Sequence, residues 1–373
     1  MNTQPIRRAA AAAVVATVSV ASSLSVQAAT PAGKIVFSRT TQTPTTAPRS
    51  RSLWLLDVGT GKVRALTTDT DSVFDMAVTW APDGKSLVFE RGVQRVRDGQ
   101  RHTLQVVSTV TNQRPHALIH GTGNFSKPAY GPGGRIAFVS QNSVGQCLSV
   151  VDATGRNRRD LFCVSAPTQF AQPKWSADGT RLFVGAGYEE GRLEPVWHAQ
   201  AYRVDVATGS AKLLSDIVME TQLDLTISPD GARGIYADIV ANDMTLVDFT
   251  NGAAKVLPTR GHAPLFSPDG KRIAFTGEIY EVGPQTRYYE PLYVMNADGA
   301  GVRRITDSRV ADHAYTAAQW SRDNVHVLVN RRTYTDSSLT QPLFALRMIN
   351  ADTRALTSLT SGYVEAGAWY EGP

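Results

Sequence analysis

The sequence is poor in the features that announce an enzyme. It has no His-Glu-x-x-His, which would space zinc ligands along a helix, and no Gly-x-Ser-x-Gly, which would lift a serine nucleophile on a strand-to-helix turn. Gly131, Gly133 and Gly134 belong to a hairpin pattern, so no glycine loop is left to cradle a phosphate. Charged residues make up only 19% of the 373 positions and the net charge is +5, without the concentrated lysine and arginine of a nucleic-acid groove. Cysteine occurs only at 147 and 163. No amphipathic helix of useful length follows residue 28. What remains is a composition that is 42% hydrophobic and globular rather than disordered.

The first 28 residues read as a secretory signal. Arg7 and Arg8 precede an apolar, alanine-rich run over 9–20, and Val26-Gln27-Ala28 supplies small residues at a cleavage point, so the mature chain is expected to start at Ala29. The run is too short and too weakly hydrophobic for a membrane span. Ala9 and Ala10 follow Arg7-Arg8 where larger apolar residues usually sit, and both the general and the twin-arginine export routes stay open. A periplasmic and a fully secreted home also stay open. Without the two leader arginines the net charge falls to about +3.

The rest of the chain is organised by one recurring pattern: an apolar or aromatic residue, roughly Ser-Pro-Asp-Gly, a basic residue, then an apolar run. It reads Trp80-Ala81-Pro82-Asp83-Gly84-Lys85 before Leu87-Val88-Phe89, and Tyr130-Gly131-Pro132-Gly133-Gly134-Arg135 before Ile136-Ala137-Phe138. It returns as Trp175-Ser176-Ala177-Asp178-Gly179, Ile227-Ser228-Pro229-Asp230-Gly231 and Phe266-Ser267-Pro268-Asp269-Gly270-Lys271. Trp320-Ser321-Arg322-Asp323-Asn324 is a sixth copy, with Asn in the glycine position. Asp-Gly and Asp-Asn tolerate positive φ, so each copy predicts a tight hairpin between two apolar strands. The anchor residues are 50, 45, 52, 39 and 54 positions apart, the scale of a four-stranded propeller blade.

Two further strands follow each hairpin, as in Leu104-Gln105-Val106-Val107 and Ala117-Leu118-Ile119. Ile35-Val36-Phe37 matches a second strand, while Ala366-Gly367-Ala368-Trp369 matches an inner strand with no hairpin after it. The expectation is an all-β, seven-bladed β-propeller over 29–373, a single domain whose C-terminal inner strand completes the blade begun by the N-terminal strands. Six or eight blades are the alternatives. Sharing one blade would also protect sheet edges that otherwise invite aggregation.

The hairpin pattern resembles the WD40-like (PD40) repeat of TolB-type propellers over essentially the whole chain after the leader. The resemblance implies the fold. For function it is unspecific, because this repeat builds transport adaptors, lyases and the propellers of peptidases. Two departures matter: TolB-type proteins carry an N-terminal α/β domain before a six-bladed propeller, and prolyl-oligopeptidase-type enzymes join the propeller to a hydrolase domain. Neither addition is expected here.

Cys147 falls on a third strand and Cys163 on the outer strand of the same blade, about equally far from the turn Asp152-Ala153-Thr154-Gly155. A symmetric hairpin places them opposite each other, and an oxidising compartment favours a bridge worth roughly 2–4 kcal/mol. Longer insertions, at 39–51, 91–101, 185–199, 276–290 and 331–341, fall on one face of the expected propeller, where function usually sits. They carry Arg95 and Arg97, Tyr188 and Trp197, Tyr280, Arg287, Tyr288 and Tyr289, and Arg331 and Tyr334. These residue types make protein interfaces and stack on sugar rings.

Around the expected channel, inner strands begin near Asp75, Lys127, Gln172, Asp224, His262, His313 and Glu365. His262, His313 and Glu365 come from adjacent blades and would hold a divalent metal if they converged. The leading expectation is an exported, non-enzymatic binding module without a cofactor. Its loop-rich face would hold a protein or an envelope glycan, with no nucleic acid among its partners. The alternative is a metal-dependent polysaccharide lyase or glycan hydrolase working at the channel mouth, a metal-dependent lyase being among the propellers the resemblance covers.

Overall fold

Period-two alternation of apolar residues, broken every few residues by Asp, Gly, Asn or Thr, leaves the backbone little choice but strand and turn. The computed structural model describes residues 32–41, 50–95, 99–121, 123–166, 168–191, 196–219, 224–238, 241–277, 279–281, 287–306, 313–334 and 342–372. Among them the one helical element is a 3-10 turn at Pro132–Gly134. The expected signal at 1–28 lies outside the described residues. No helix among those residues is long and apolar enough to cross a membrane.

The strands form antiparallel sheets, most of them four-stranded, as in a β-propeller. Val364–Tyr370, Lys34–Thr41, Ser50–Asp57 and Val63–Ala65 make one meander, in which Ile35 pairs with both Leu56 and Trp369. A single parallel pairing, Arg51 with Phe74, joins it to the meander of Val73–Trp80, Ser86–Arg95, Gly99–Ser108 and His116–Ala117. Further sheets begin at the inner strands Asn124–Tyr130, Gln169–Phe170 with Lys174–Trp175, Asp224–Ile227, His262–Phe266 and His313–Trp320.

The larger sheets are apolar on both faces and bury the two faces against different neighbours. Leu87 and Phe89 pack back on Val36, Leu53 and Trp80, while Val88 between them packs forward on Phe125, Ile136 and Phe138. The same division recurs along the chain: Ala137 and Val139 against Leu182 and Val184, Phe183 against Tyr236, Ile235 against Ile273, and Ala274 against Val327. Leu328 and Met348 of the last sheet then pack on Ile35 and Phe37 of the first. At about 1.5–3 kcal/mol per buried side chain, these cores between sheets hold most of the stabilising free energy.

The repeated turns adopt the predicted geometry. Gly84, Gly179, Gly231 and Gly270 have φ between 66° and 69°, and Asn324 takes the same conformation at 63°. The Ser228 hydroxyl donates to Asp230 at 2.5 Å and accepts the amide of Arg233 at 2.9 Å, closing the turn as a small cage, and Ser267 does the same with Asp269 and Arg272.

The basic residues at or just after these turns join one sheet to the next. Arg135 donates to the carbonyl of Gly179 at 2.6 Å and lies 5.1 Å from the ring centre of Trp175. Arg272 donates to the carbonyl of Asn324 and covers Trp320 in the same way. The indoles of Trp80, Trp175 and Trp320 in turn donate to main-chain carbonyls of Ala368, Ala129 and Leu265 on the preceding inner strands.

Two features refine the sequence reading. The insertions at 91–101 and 185–199 extend strand pairs: Ser86–Arg95 pairs with Gly99–Ser108, and Arg181–Glu190 with Val196–Asp205, through their whole lengths. Cys147 and Cys163 are directly opposed and disulfide-bonded, with Cα atoms 4.0 Å apart.

Candidate functional site

Several inner strands share one irregularity. The register slips between Met76 and Thr79, between Ser126 and Ala129, and between His262 and Leu265. Within these slips Ala77, Lys127 and Ala263 have φ of 48°, 54° and 50°. The bulge belongs to the fold, but a long cation in it belongs to this chain, and left-handed backbone at a non-glycine residue needs support from its surroundings. Glu90 gives that support, accepting the Lys127 amide on Oε2 at 2.9 Å. Its other oxygen lies 2.5 Å from Nδ1 of His102, so a buried carboxylate orients both an imidazole and the bulge.

The Lys127 ammonium reaches the next sheet and donates to the carbonyl of Phe170. Burial pulls its pKa below the ordinary lysine value, and Glu90 partly offsets that. Beyond it opens a cavity of about 360 Å³ lined by Lys127, Gln169, Phe170, Ala171, Gln172, Gly187 and Trp197. Gln172 donates to the carbonyl of Pro128 at 2.9 Å, and Gln146 accepts the amide of Phe170 at 2.8 Å, so side-chain amides hold the cavity wall. Two aromatic residues, an ammonium and two side-chain amides suit a ligand with an apolar body and peptide-like polar groups.

Lys174 lies two residues beyond Gln172, outside the cavity lining. Its side chain is exposed along the strand Lys174–Trp175, its Nζ donates to the carbonyl of Ile227 at 2.7 Å, and desolvation at that end lowers its pKa to about 8. From there up to the ordinary value of 10.5 the unfolded chain holds this proton and the folded chain does not. Stability therefore climbs with pH over that window. Lys174→Met should flatten the climb, read as the difference between wild-type and variant urea midpoints at pH 7.5 and pH 10.

The structure sorts the sequence-based candidates. Trp197 lines the cavity. Tyr188 stacks on His198 with ring centres 4.6 Å apart, and the two nitrogens of His198 contact Glu190 at 2.9 Å and Asp216 at 3.1 Å. Tyr289 is buried, and Arg331 and Tyr334 are half-buried on the strand His326–Tyr334. Tyr280 pairs with Tyr288 in the short hairpin of Ile279–Glu281 and Arg287–Tyr289. Arg95 ends its strand, and Arg97 lies outside the described residues.

His262 and Glu365 have other partners. His262 Nε2 lies 3.5 Å from Glu290, and Glu365 pairs with Arg51 at 3.2 Å. His313 stands on the neighbouring strand, edge-on to Tyr315. Among the described residues no group of three or more His, Cys, Asp or Glu side chains is placed to hold a metal ion. Glu90, His102, Gln169 and Phe170 escaped the sequence reading because they sit within ordinary strand patterns.

No family model matches this chain. Over 245 residues it is 26% identical to an uncharacterized peptidase, YuxL, of Bacillus subtilis (strain 168), covering 62% of this chain and 34% of that protein. Its fold is similar to that of a puromycin-hydrolyzing peptidase of Mycobacterium tuberculosis (TM-score 0.57, 11% identity, 88% of this chain and 52% of that one). It is also similar to an acylaminoacyl peptidase of Pyrococcus horikoshii (TM-score 0.55, 13% identity, 78% of this chain and 46% of that one). This chain thus spans about a third of the curated relative and about half of these structures, and at such identities the structural likeness concerns the fold. The expectation of a non-enzymatic binding module is corrected by these findings, since the proteins matched in sequence and in fold bear peptidase names.

Proposed function

We propose that this chain serves the hydrolysis of peptides or aminoacyl amides, as the propeller of a peptidase-type enzyme. The observation that carries the reading is the sequence likeness to a named peptidase over 245 residues. The cavity at Lys127 supports it, because an indole, an ammonium and amide side chains match the side chain and the carbonyl and amide groups of a peptide. In this reading the consecutive sheets are seven blades of one domain with TolB-type repeats, and the pairing of Lys34–Thr41 with Val364–Tyr370 closes the ring. The disulfide fits export after removal of the 1–28 signal.

The chain's own residues bind and orient. Trp197 supplies an apolar wall, Gln169 and Gln172 offer amides, and Lys127 attracts a carbonyl oxygen or an anionic end.

The test is titration calorimetry of the full chain with acetylated tripeptides, together with release of p-nitroaniline from aminoacyl anilides. Wild-type protein should bind the peptides, and Trp197→Ala should raise Kd about tenfold, as expected for removal of an aromatic anchor. Absence of both peptide binding and anilide cleavage in the wild-type protein would sink the proposal.

A further inference from the structure

The strands His326–Tyr334 and Pro342–Asn350 pair so that Val329 opposes Arg347 and Arg331 opposes Ala345. Side chains alternate along a strand, so Arg331, Thr333 and Arg347 share one face. It is the face whose Val327, Val329 and Ile349 pack on Ala274, Leu292 and Val294 of the preceding sheet. Two guanidinium groups thus stand diagonally adjacent at the end of a core between sheets, with the small side chain of Ala345 beside Arg331.

Arg347 donates through Nη1 to the carbonyls of Leu346 at 3.0 Å and Thr360 at 3.3 Å. Its Nε, the Nε of Arg331 and the Oγ1 of Thr333 are all buried and have no partner in the protein among the described residues. Neither arginine enters an ion pair among those residues. Burial, followed by the neighbouring charge of Arg331, holds the Arg347 pKa below its usual value.

Arginine stems laid over apolar surface would account for the packing of these residues. They do not account for three polar atoms turned inward without an acceptor, nor for two like charges side by side, both of which are unfavourable. One anion relieves both. A planar group with two oxygens fits best, because the edge of a guanidinium presents two parallel donors. We propose that Arg331, Arg347 and Thr333 form a binding site for the carboxylate group of a ligand entering between these two sheets. The site is built on other sheets than the Lys127 cavity and does not depend on the peptidase reading.

The full chain is titrated calorimetrically with N-acetyl-dialanine, its C-terminal amide, acetate and inorganic phosphate. The acid should bind at least tenfold more tightly than the amide. Arg347→Met should erase that difference, and Arg331→Lys, which keeps the charge but loses the two-donor edge, should shrink it. Arg332→Met, on the opposite face of the strand, should preserve it. The acid binding more tightly than acetate marks a peptide C-terminus as the source, and equal affinity marks a free small carboxylate; either supports the site. Equal binding of acid and amide, no binding of either carboxylate, preference for phosphate, or full discrimination retained in Arg347→Met would overturn it.

Discussion

Arg91→Met is expected to cost about 3–5 kcal/mol of folding stability, read as a lower urea midpoint with an unchanged slope. Asp75 is wholly buried, and Arg91 grips it with both edges of one carboxylate, Nε to Oδ1 at 2.7 Å and Nη2 to Oδ2 at 2.8 Å. Removing the arginine leaves a charge with no water and no counterion. The pair itself contributes less than its rupture costs, because both groups were desolvated to form it. Asp75→Asn combined with Arg91→Met should therefore recover much of the loss, and a double variant as unstable as the single one would refute the argument.

The second large effect concerns the turns between third and outer strands, which lean on the sheet before. A Cβ at Gly155 would sit 1.8 Å from the carbonyl oxygen of Leu118, and φ there is +77°. Gly252 has the same φ and nothing within 4 Å. Alanine at Gly252 meets only the backbone preference, about 1 kcal/mol. Alanine at Gly155 must in addition displace main chain that belongs to the core around Leu118, for a total of about 2–5 kcal/mol. Comparing the unfolding midpoints of Gly155→Ala and Gly252→Ala isolates the contact between sheets, and equal losses would show that it is soft.

The fold was legible because its grammar is local. Asp83-Gly84, Asp230-Gly231 and Asp269-Gly270 name their turn within a few residues, and Asp323-Asn324 keeps the conformation without glycine. The disulfide was legible for the same reason, as two positions equidistant from one turn. The candidate site was legible only in fragments. Lys127, Gln172 and Trp197 stood out by position or type, but a bulge leaves no pattern in a strand, and the carboxylate that supports it is 37 residues away. Arg91 shows the opposite error: the sequence places it at the start of the insertion at 91–101, yet it is the partner of a buried aspartate. Loop charge and core charge look alike until register is known. The sequence reading put a binding module ahead of an enzyme because no catalytic motif interrupts the repeats, and a propeller repeat by itself carries no reaction.

The arginines that bridge successive sheets reach main-chain oxygens, at Gly179 for Arg135, at Gly270 for Arg233 and at Asn324 for Arg272, the last of which also ion-pairs with Asp352. An oxygen of the backbone is present whatever side chain stands there. The receiving turn is thus free to change its residue, as it has at Asn324, while the neighbour keeps its hold. Divergence of one repeat need not be answered by compensating change in the next, so the copies can drift apart in sequence and spacing while their joints stay interchangeable.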